Sequence, residues 1–237
     1  MKFLRLDNHF PDFNIFQPLH LLNIENISQN LSPTAFFFHK ETSLLFVGLS
    51  NTTITGKINN YISKIFTRTK TEPINTEYPG CVMIYNLIKN NSGNQHLEMI
   101  YERGLNSEVT SINFYDAKNI LCIGMKNGSI SINKVYINES SSESTEFVDE
   151  VCTVKAGKNS LVGVCINFSQ GYIYSFARDK SVTISEINYQ SIIRTIPITK
   201  KEISAMYYDE SWGRVFLGDE SGSIWILDII SNPVNIT

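Results

Sequence analysis

The stretch GDESGSIWILDI, residues 218–229, places an acidic turn between two glycines and continues into an alternating apolar run. Two earlier stretches line up with it, GMKNGSISINKV at 124–135 and FARDKSVTISEI at 176–187, and GCVMIYNL at 80–87 matches its second half. The matched apolar positions are 48, 52 and 42 residues apart: Val82, Ile130, Val182 and Ile224. Self-similarity at such a spacing indicates a repeat architecture.

Each copy is the end of a longer module. Residues 201–217, KEISAMYYDESWGRVFL, form two alternating runs around a polar turn, and the same order precedes the other copies at 32–47, 107–123 and 160–175. A further strand-like segment follows the first three copies, at 96–104, 146–154 and 191–199. Period-two alternation rich in Val, Ile, Phe and Tyr predicts strands. Four antiparallel strands per module predict an all-β fold, a β-propeller with four visible blades.

The tight turns between the second and third strands support this prediction. Asn127-Gly128, Asp179-Lys180 and Ser221-Gly222 stand at the same place in three modules. A two-residue hairpin needs positive φ angles, which such pairs tolerate.

The repeats also divide the chain. We expect an N-terminal segment at 1–31 and a WD-repeat-like propeller at 32–237, with blades at about 32–104, 105–155, 160–199 and 201–230. The alternating stretch PLHLLNIEN, 18–26, is a candidate closing strand. Two interpretations stay open: the chain is the front part of a longer, seven-blade propeller, or residues 18–26 complete the fourth blade and the ring closes at four.

Composition excludes several function classes. The net charge is −3 and 18% of residues are charged, which gives no whole-chain argument for nucleic acid. No apolar run approaches the ~18 residues of a membrane helix. The cysteines lack metal-knuckle spacing and are expected to be buried, reduced thiols: Cys81, Cys122, Cys152 and Cys165. The histidines are scattered singly, so no metal or other cofactor is expected: His9, His20, His39 and His96.

The hairpins at 176–187 and 218–229 resemble those of WD-repeat propellers, and the resemblance covers roughly residues 32–230. The Trp-Asp pair that names the family appears only in altered form, as in Leu227-Asp228, and its Gly-His pair is absent. The resemblance therefore implies blades held mainly by apolar packing. The stretch AMYYDESWGRVFLGDESGSIWILDI is similar to the WD-repeat and FYVE-domain adaptors, without their zinc module. That likeness implies a cytoplasmic protein associated with endosomes.

In WD-repeat propellers one rim carries the second-to-third strand turns and the connections between blades. This rim is predicted to bind acidic or phosphorylated protein segments, because Arg and Lys on loops suit that task. The long insertion at 50–79 belongs to it, and the Ser- and Glu-rich segment at 138–150, a phosphorylation site or a disordered loop, belongs to the opposite rim. The candidate partner-binding residues are Lys64, Arg68, Arg103, Lys126, Lys158, Arg178, Lys200, Lys201 and the exposed aromatic Trp212.

The sequence thus favours a non-catalytic scaffold or adaptor that binds other proteins. Two alternatives stay open: a phosphoinositide-binding propeller of membrane trafficking or autophagy, and a propeller-based enzyme. The chain contains no GxSxG, HExxH or P-loop motif and no Arg-Arg pair. An open propeller edge would also expose apolar side chains and favour self-association.

Overall fold

The first blade begins where apolar alternation begins. A computed structural model describes residues 31–51, 78–89, 95–137 and 148–229 of the chain, and everything below concerns these residues. The first blade is an antiparallel sheet in the order β1-β2-β3-β4. Its strands are β1 (Leu31–His39), β2 (Leu44–Asn51), β3 (Gly80–Lys89) and β4 (Gln95–Leu105).

The second and third blades repeat this order. The second contains β5 (Val109–Tyr115), β6 (Ile120–Met125), β7 (Ser129–Val135) and β8 (Val148–Lys155), with a short 3-10 turn, Asp116–Lys118, after β5. The third contains β9 (Leu161–Asn167), β10 (Tyr172–Ala177), β11 (Ser181–Glu186) and β12 (Ser191–Pro197).

The fourth blade has three strands within the described residues. They are β13 (Ile203–Asp209), β14 (Arg214–Asp219) and β15 (Ile224–Asp228). The all-β prediction and the propeller arrangement of four blades are confirmed. The candidate closing strand at 18–26 lies outside the described residues.

Neighbouring blades pack through their inner strands. The first strand of each blade lies against the first and second strands of the preceding blade: β5 against β1 and β2, β9 against β5 and β6, and β13 against β9 and β10. Buried apolar clusters fill these contacts, as where Phe46 stacks on Phe114 at 4.9 Å between ring centroids. Packing between blades is thus mainly apolar, as predicted.

The inner strands carry a repeated irregularity. The pairing of the first and second strands shifts register at Thr34, at Thr110 and at Ser204, and each of these hydroxyls donates to the carbonyl of a glycine on the second strand. The acceptors are Gly48, Gly124 and Gly218, at 3.1 to 3.2 Å. A bulge of this kind leaves backbone N–H and carbonyl groups of the two strands unpaired, and the hydroxyl donates a hydrogen bond to one of these carbonyls.

The four cysteines are buried and free, as predicted. Burial raises the pKa of the Cys81 thiol to about 12 and raises the pKa values of the other three as well. These thiols serve as small apolar groups in the packing.

Candidate protein-interaction surface

Antiparallel strands give every blade two ends, and therefore two rims. We call the upper rim the end that carries the second-to-third strand turns and the connections between blades. Its described segments are 78–79, 106–108, 126–128, 156–160, 178–180, 198–202 and 220–223. The lower rim carries the first-to-second and third-to-fourth strand turns, and its described segments are 40–43, 116–119, 168–171, 187–190 and 210–213.

Backbone hydrogen bonds hold each upper-rim turn against the connection that precedes its blade. The N–H of Lys126 donates to the carbonyl of Glu108 at 2.9 Å, and that of Arg178 donates to Ser160 at 3.0 Å. In the fourth blade the N–H of Glu220 donates to the carbonyl of Glu202 at 3.0 Å. The backbone of the first residue of each turn is therefore held beside the blade connection.

The turns themselves differ from the predicted two-residue hairpin. Only their last residue is left-handed, with φ of 79° at Gly128, 74° at Lys180 and 80° at Gly222. The N–H of that residue closes a four-residue turn, as from Gly128 to the carbonyl of Met125 at 3.1 Å. Glycine adopts this conformation without strain, whereas Lys180 does so at a cost.

Five exposed cations surround the upper end of the third blade. They are Lys158, Arg178, Lys180, Lys200 and Lys201, here called the blade-3 cations. The N–H of Ile198 donates to the carbonyl of Lys180 at 2.9 Å, which holds the third-to-fourth blade connection against the turn. On the other side, Nδ2 of Asn159 donates to Oδ2 of Asp179 at 2.5 Å.

The blade-3 cations form no ion pair within the described part of the chain. Two acids adjoin these cations in sequence: Asp179 lies between Arg178 and Lys180, and the exposed Glu202 follows Lys201. The other oxygen of Asp179, Oδ1, accepts from the hydroxyl of Ser181 at 2.6 Å. The structure therefore groups four predicted site residues, Lys158, Arg178, Lys200 and Lys201, and adds Lys180.

Two other predicted residues are engaged within the protein. Nζ of Lys126 pairs with Oε1 of Glu108 at 2.8 Å on the upper rim. Arg103 of the first blade pairs with Glu150 of the second, and its Nη1 donates to Oδ1 of Asn133 at 3.1 Å. A hydrogen bond from the Thr153 hydroxyl, followed by the contact with Arg103, lowers the pKa of the Glu150 carboxyl. Arg103 thus joins two blades.

Trp212 lies on the lower rim, away from the blade-3 cations. It is exposed in the turn between β13 and β14, and the guanidinium of Arg214 lies 5.4 Å from its ring centroid. Its backbone N–H donates to Oδ1 of Asp209 at 3.3 Å. Trp212 and the cations therefore do not form one surface.

The remaining predictions for this surface stay predictions. Lys64 and Arg68 lie outside the described residues, as does most of the insertion at 50–79. Within the Ser- and Glu-rich segment, only residues 148–150 are described, as the start of β8.

One lower-rim cluster combines residue types that bind cations. His39, Glu41 and Asp116 offer ligand atoms that all lie within 4.8 Å of one another. Nε2 of His39 lies 3.5 Å from Oδ1 of Asp116, and its Nδ1 shares a 2.7 Å hydrogen bond with the hydroxyl of Thr42. The cluster already has internal partners, so it serves as a polar contact between the first two blades. Sequence spacing missed it because Asp116 belongs to another blade.

Solved structures similar to this chain include two β-propeller domains and a designed protein. The β-propeller domain of Cps50 (Swd1) from Myceliophteria thermophila has a TM-score of 0.57 and 13% identity, over 84% of this chain and 54% of that one. The WD40 β-propeller domain of Doa1 has a TM-score of 0.53 and 13% identity, over 84% and 52%. The computationally designed Ika4 protein has a TM-score of 0.52 and 16% identity, over 88% and 96%. The chain therefore spans about half the length of the Swd1 and Doa1 domains.

No protein-family model and no curated protein matches the sequence. In the part of the chain that the structure describes, no helix has the length and apolar character needed to cross a bilayer.

Proposed function

We propose that the protein is a non-catalytic interaction scaffold whose upper rim binds an acidic or phosphorylated segment of a partner protein. The observation that carries this proposal is the set of exposed blade-3 cations, which form no ion pair among the described residues. WD40-like structural neighbours support a scaffold because propellers of this kind present their loops to partners.

The geometry favours a ligand with several negative groups. The five cations stand on three neighbouring segments, 156–160, 178–180 and 198–202, and backbone hydrogen bonds fix those segments together. A phosphate or carboxylate accepts hydrogen bonds from more than one Lys or Arg. A flexible acidic segment reaches several of them at once and loses little energy to desolvation at an exposed rim.

The test reverses two charges and measures peptide binding. A fluorescent peptide containing phosphoserine and Glu is titrated with the wild type and with Lys200→Glu/Lys201→Glu. We expect the variant to bind about tenfold more weakly, because two exposed charge pairs of roughly 0.5–1 kcal/mol each are lost. We also expect wild-type affinity to fall as salt rises.

A matched control makes the same charge change at the lower rim. Lys40 and Lys118 are exposed there, and Lys40→Glu/Lys118→Glu gives the same net charge as the first variant. Equal weakening by both pairs would show a whole-protein charge effect and would contradict the proposed site. Unchanged binding by the upper-rim variant would contradict it as well.

The phosphoinositide alternative uses the same cations. A vesicle-flotation experiment distinguishes it from binding of a protein segment. Vesicles of phosphatidylcholine with and without a phosphoinositide are floated with the protein. Binding to phosphoinositide vesicles without binding to the peptide would replace a protein ligand by a lipid. The endosomal location and the adaptor type implied by the sequence resemblance remain predictions.

A further inference from the structure

One face of the fourth blade is apolar and uncovered among the described residues. Ile224 and Ile226 of β15 are 75% and 62% exposed, and Tyr207 of β13 lies exposed on the same face. The matching residues of the third blade, Val182 and Ile184, are 0% and 2% exposed because the fourth blade packs on them. The fourth blade therefore presents the surface that, elsewhere in this chain, receives the next blade.

A glycine on this face of the fourth blade leaves space for a packed strand. Gly48 faces the second blade so closely that a Cβ there would lie 2.3 Å from Cγ1 of Val109. Gly124 has the same place in the second blade. A Cβ there would lie 2.3 Å from Oγ of Ser111 in its own blade and 3.3 Å from Cγ2 of Val164 in the third blade. Gly218 has this place in the fourth blade, yet its Cβ would meet only Ala205 of its own blade, at 3.7 Å.

The register makes these three positions equivalent. Each glycine lies on the second strand of its blade and pairs with the residue that follows the bulge: Ala35 with Gly48, Ser111 with Gly124, and Ala205 with Gly218. In the first two blades this glycine leaves room for the inner strand of the next blade. In the third blade Phe176 has this position, and its partner Gly163 leaves the room instead, because a Cβ there would lie 2.3 Å from Sδ of Met206 in β13. Gly218 leaves the same room, and in the described chain nothing fills it.

The first blade carries the complementary surface. Phe36 and Phe38 of β1 point away from the second blade and are 78% and 47% exposed. Their counterparts in β5 are Ile112 and Phe114, which are buried against the first blade. The outward side of β1 is therefore an inner-strand face of the kind that packs over a glycine such as Gly218.

On the outward face of the first blade, the exposed apolar side chains are those of β1. On the same side of the sheet, residues of β2 and β3 already form a small buried cluster that includes Val47, Leu49 and Met83. This matches the contacts between blades, in which the inner strand of the following blade provides the main contact.

We propose that a second copy of this chain covers the open face, with its β1 packed on β13 and β14 and Phe36 lying near Gly218. The two faces are exposed in the same molecule, so they do not cover each other within one chain. Head-to-tail contact between two copies covers both pairs of faces and closes a ring of eight blades. The chain length agrees with a ring made of two copies. One chain spans 54% and 52% of the Swd1 and Doa1 propeller domains, so two chains span about the length of one such domain.

The first test measures molar mass by sedimentation. The wild type is expected at twice the chain mass of 26.9 kDa. Gly218→Val should be monomeric, because its side chain occupies the space of the incoming strand. The variant should fold normally, since a Cβ at this position makes only an ordinary contact and no positive φ is needed. Circular dichroism and thermal unfolding check the fold.

The matched control is Gly157→Val. No atom lies within 4 Å of a Cβ at Gly157, which is on the upper rim and away from both open faces. This variant should have the mass of the wild type. A wild-type protein that sediments at 26.9 kDa over the whole concentration range would overturn the proposal. A Gly218→Val variant that dimerises as tightly as the wild type would also overturn it.

The second test distinguishes a head-to-tail contact from a symmetric one. Phe36→Asp damages only the β1 face, and Gly218→Val damages only the fourth-blade face. Each variant alone should be monomeric. A mixture should regain one of the two contacts, because the intact fourth blade of the first variant meets the intact β1 of the second. It should therefore associate more tightly than either variant alone and more weakly than the wild type. A mixture that stays monomeric would overturn the head-to-tail arrangement.

Discussion

The backbone N–H of Ile166 donates a 2.8 Å hydrogen bond to the hydroxyl oxygen of Tyr115, across the contact between the second and third blades. Two residues earlier in each strand, Nδ2 of Asn113 donates to the carbonyl of Val164 at 2.6 Å. Inner strands are sheet edges, and their free backbone groups need partners when they are buried. Side chains from the preceding inner strand supply those partners here.

Tyr115→Phe should therefore destabilise the fold without changing its shape. The substitution leaves the buried N–H of Ile166 without a partner, which costs about 1–3 kcal/mol in free energy of unfolding. Urea denaturation measures this cost. Tyr189→Phe is the control, because Tyr189 is exposed and its change should be neutral. Equal stability of Tyr115→Phe and the wild type would show that this hydrogen bond contributes nothing net.

Gly48→Ala should destabilise the contact between the first and second blades. Its new methyl group would overlap the side chain of Val109, and overpacking of this kind costs about 1–3 kcal/mol. Gly157→Ala adds the same methyl group where no atom lies within 4 Å. Thermal unfolding of the two variants provides the comparison, and equal melting temperatures would contradict the tight inter-blade contact.

Because of Asp219, the free energy of unfolding should fall as the pH is lowered into the acid range. Hydrogen bonds from the hydroxyl of Ser221 and from the indole N–H of Trp225, the latter at 2.9 Å, lower the pKa of the Asp219 carboxyl to about 2. A carboxyl with a depressed pKa stabilises the fold above the unfolded value of about 3.9, and this contribution disappears as pH falls through the folded value. Asp219→Ala should lower stability at pH 6.

The stability difference between the wild type and Asp219→Ala should narrow between about pH 4 and pH 2, as the wild-type carboxyl becomes protonated. Chemical denaturation at a series of pH values measures the difference. Glu220→Ala changes the exposed neighbouring acid and serves as the control. A stability difference between the two proteins that stays constant down to pH 2 would show that the contribution of Asp219 does not depend on its negative charge.

The strands were predictable because their signal is local. Alternation around Val82, Ile130, Val182 and Ile224 identified the third strand of every blade, and the pairing with the second strands agrees. The glycines of the tight turns were recognised, but the turn type was wrong. In those turns only the final residue needs positive φ, as at Gly128.

The candidate site was only partly predictable, since it depends on contacts between distant residues. Charge on loops identified Lys158, Arg178, Lys200 and Lys201, which the blade order places on neighbouring segments. The sequence gives no sign that Arg103 pairs with Glu150, 47 residues away in another blade. Likewise, an exposed Trp212 was expected, but its position on the lower rim separates it from these cations.

The main contacts of each blade are with its immediate neighbours, and this has a consequence for unfolding. Stability in such an array is a sum of individual module terms and nearest-neighbour coupling terms. In the part of the chain that the structure describes, a single chain contains three couplings, and its first and fourth blades each take part in only one. In the monomeric Gly218→Val variant, backbone amide protons of β6 and β10 should therefore exchange with solvent most slowly, while those of β14 exchange faster as the last module frays.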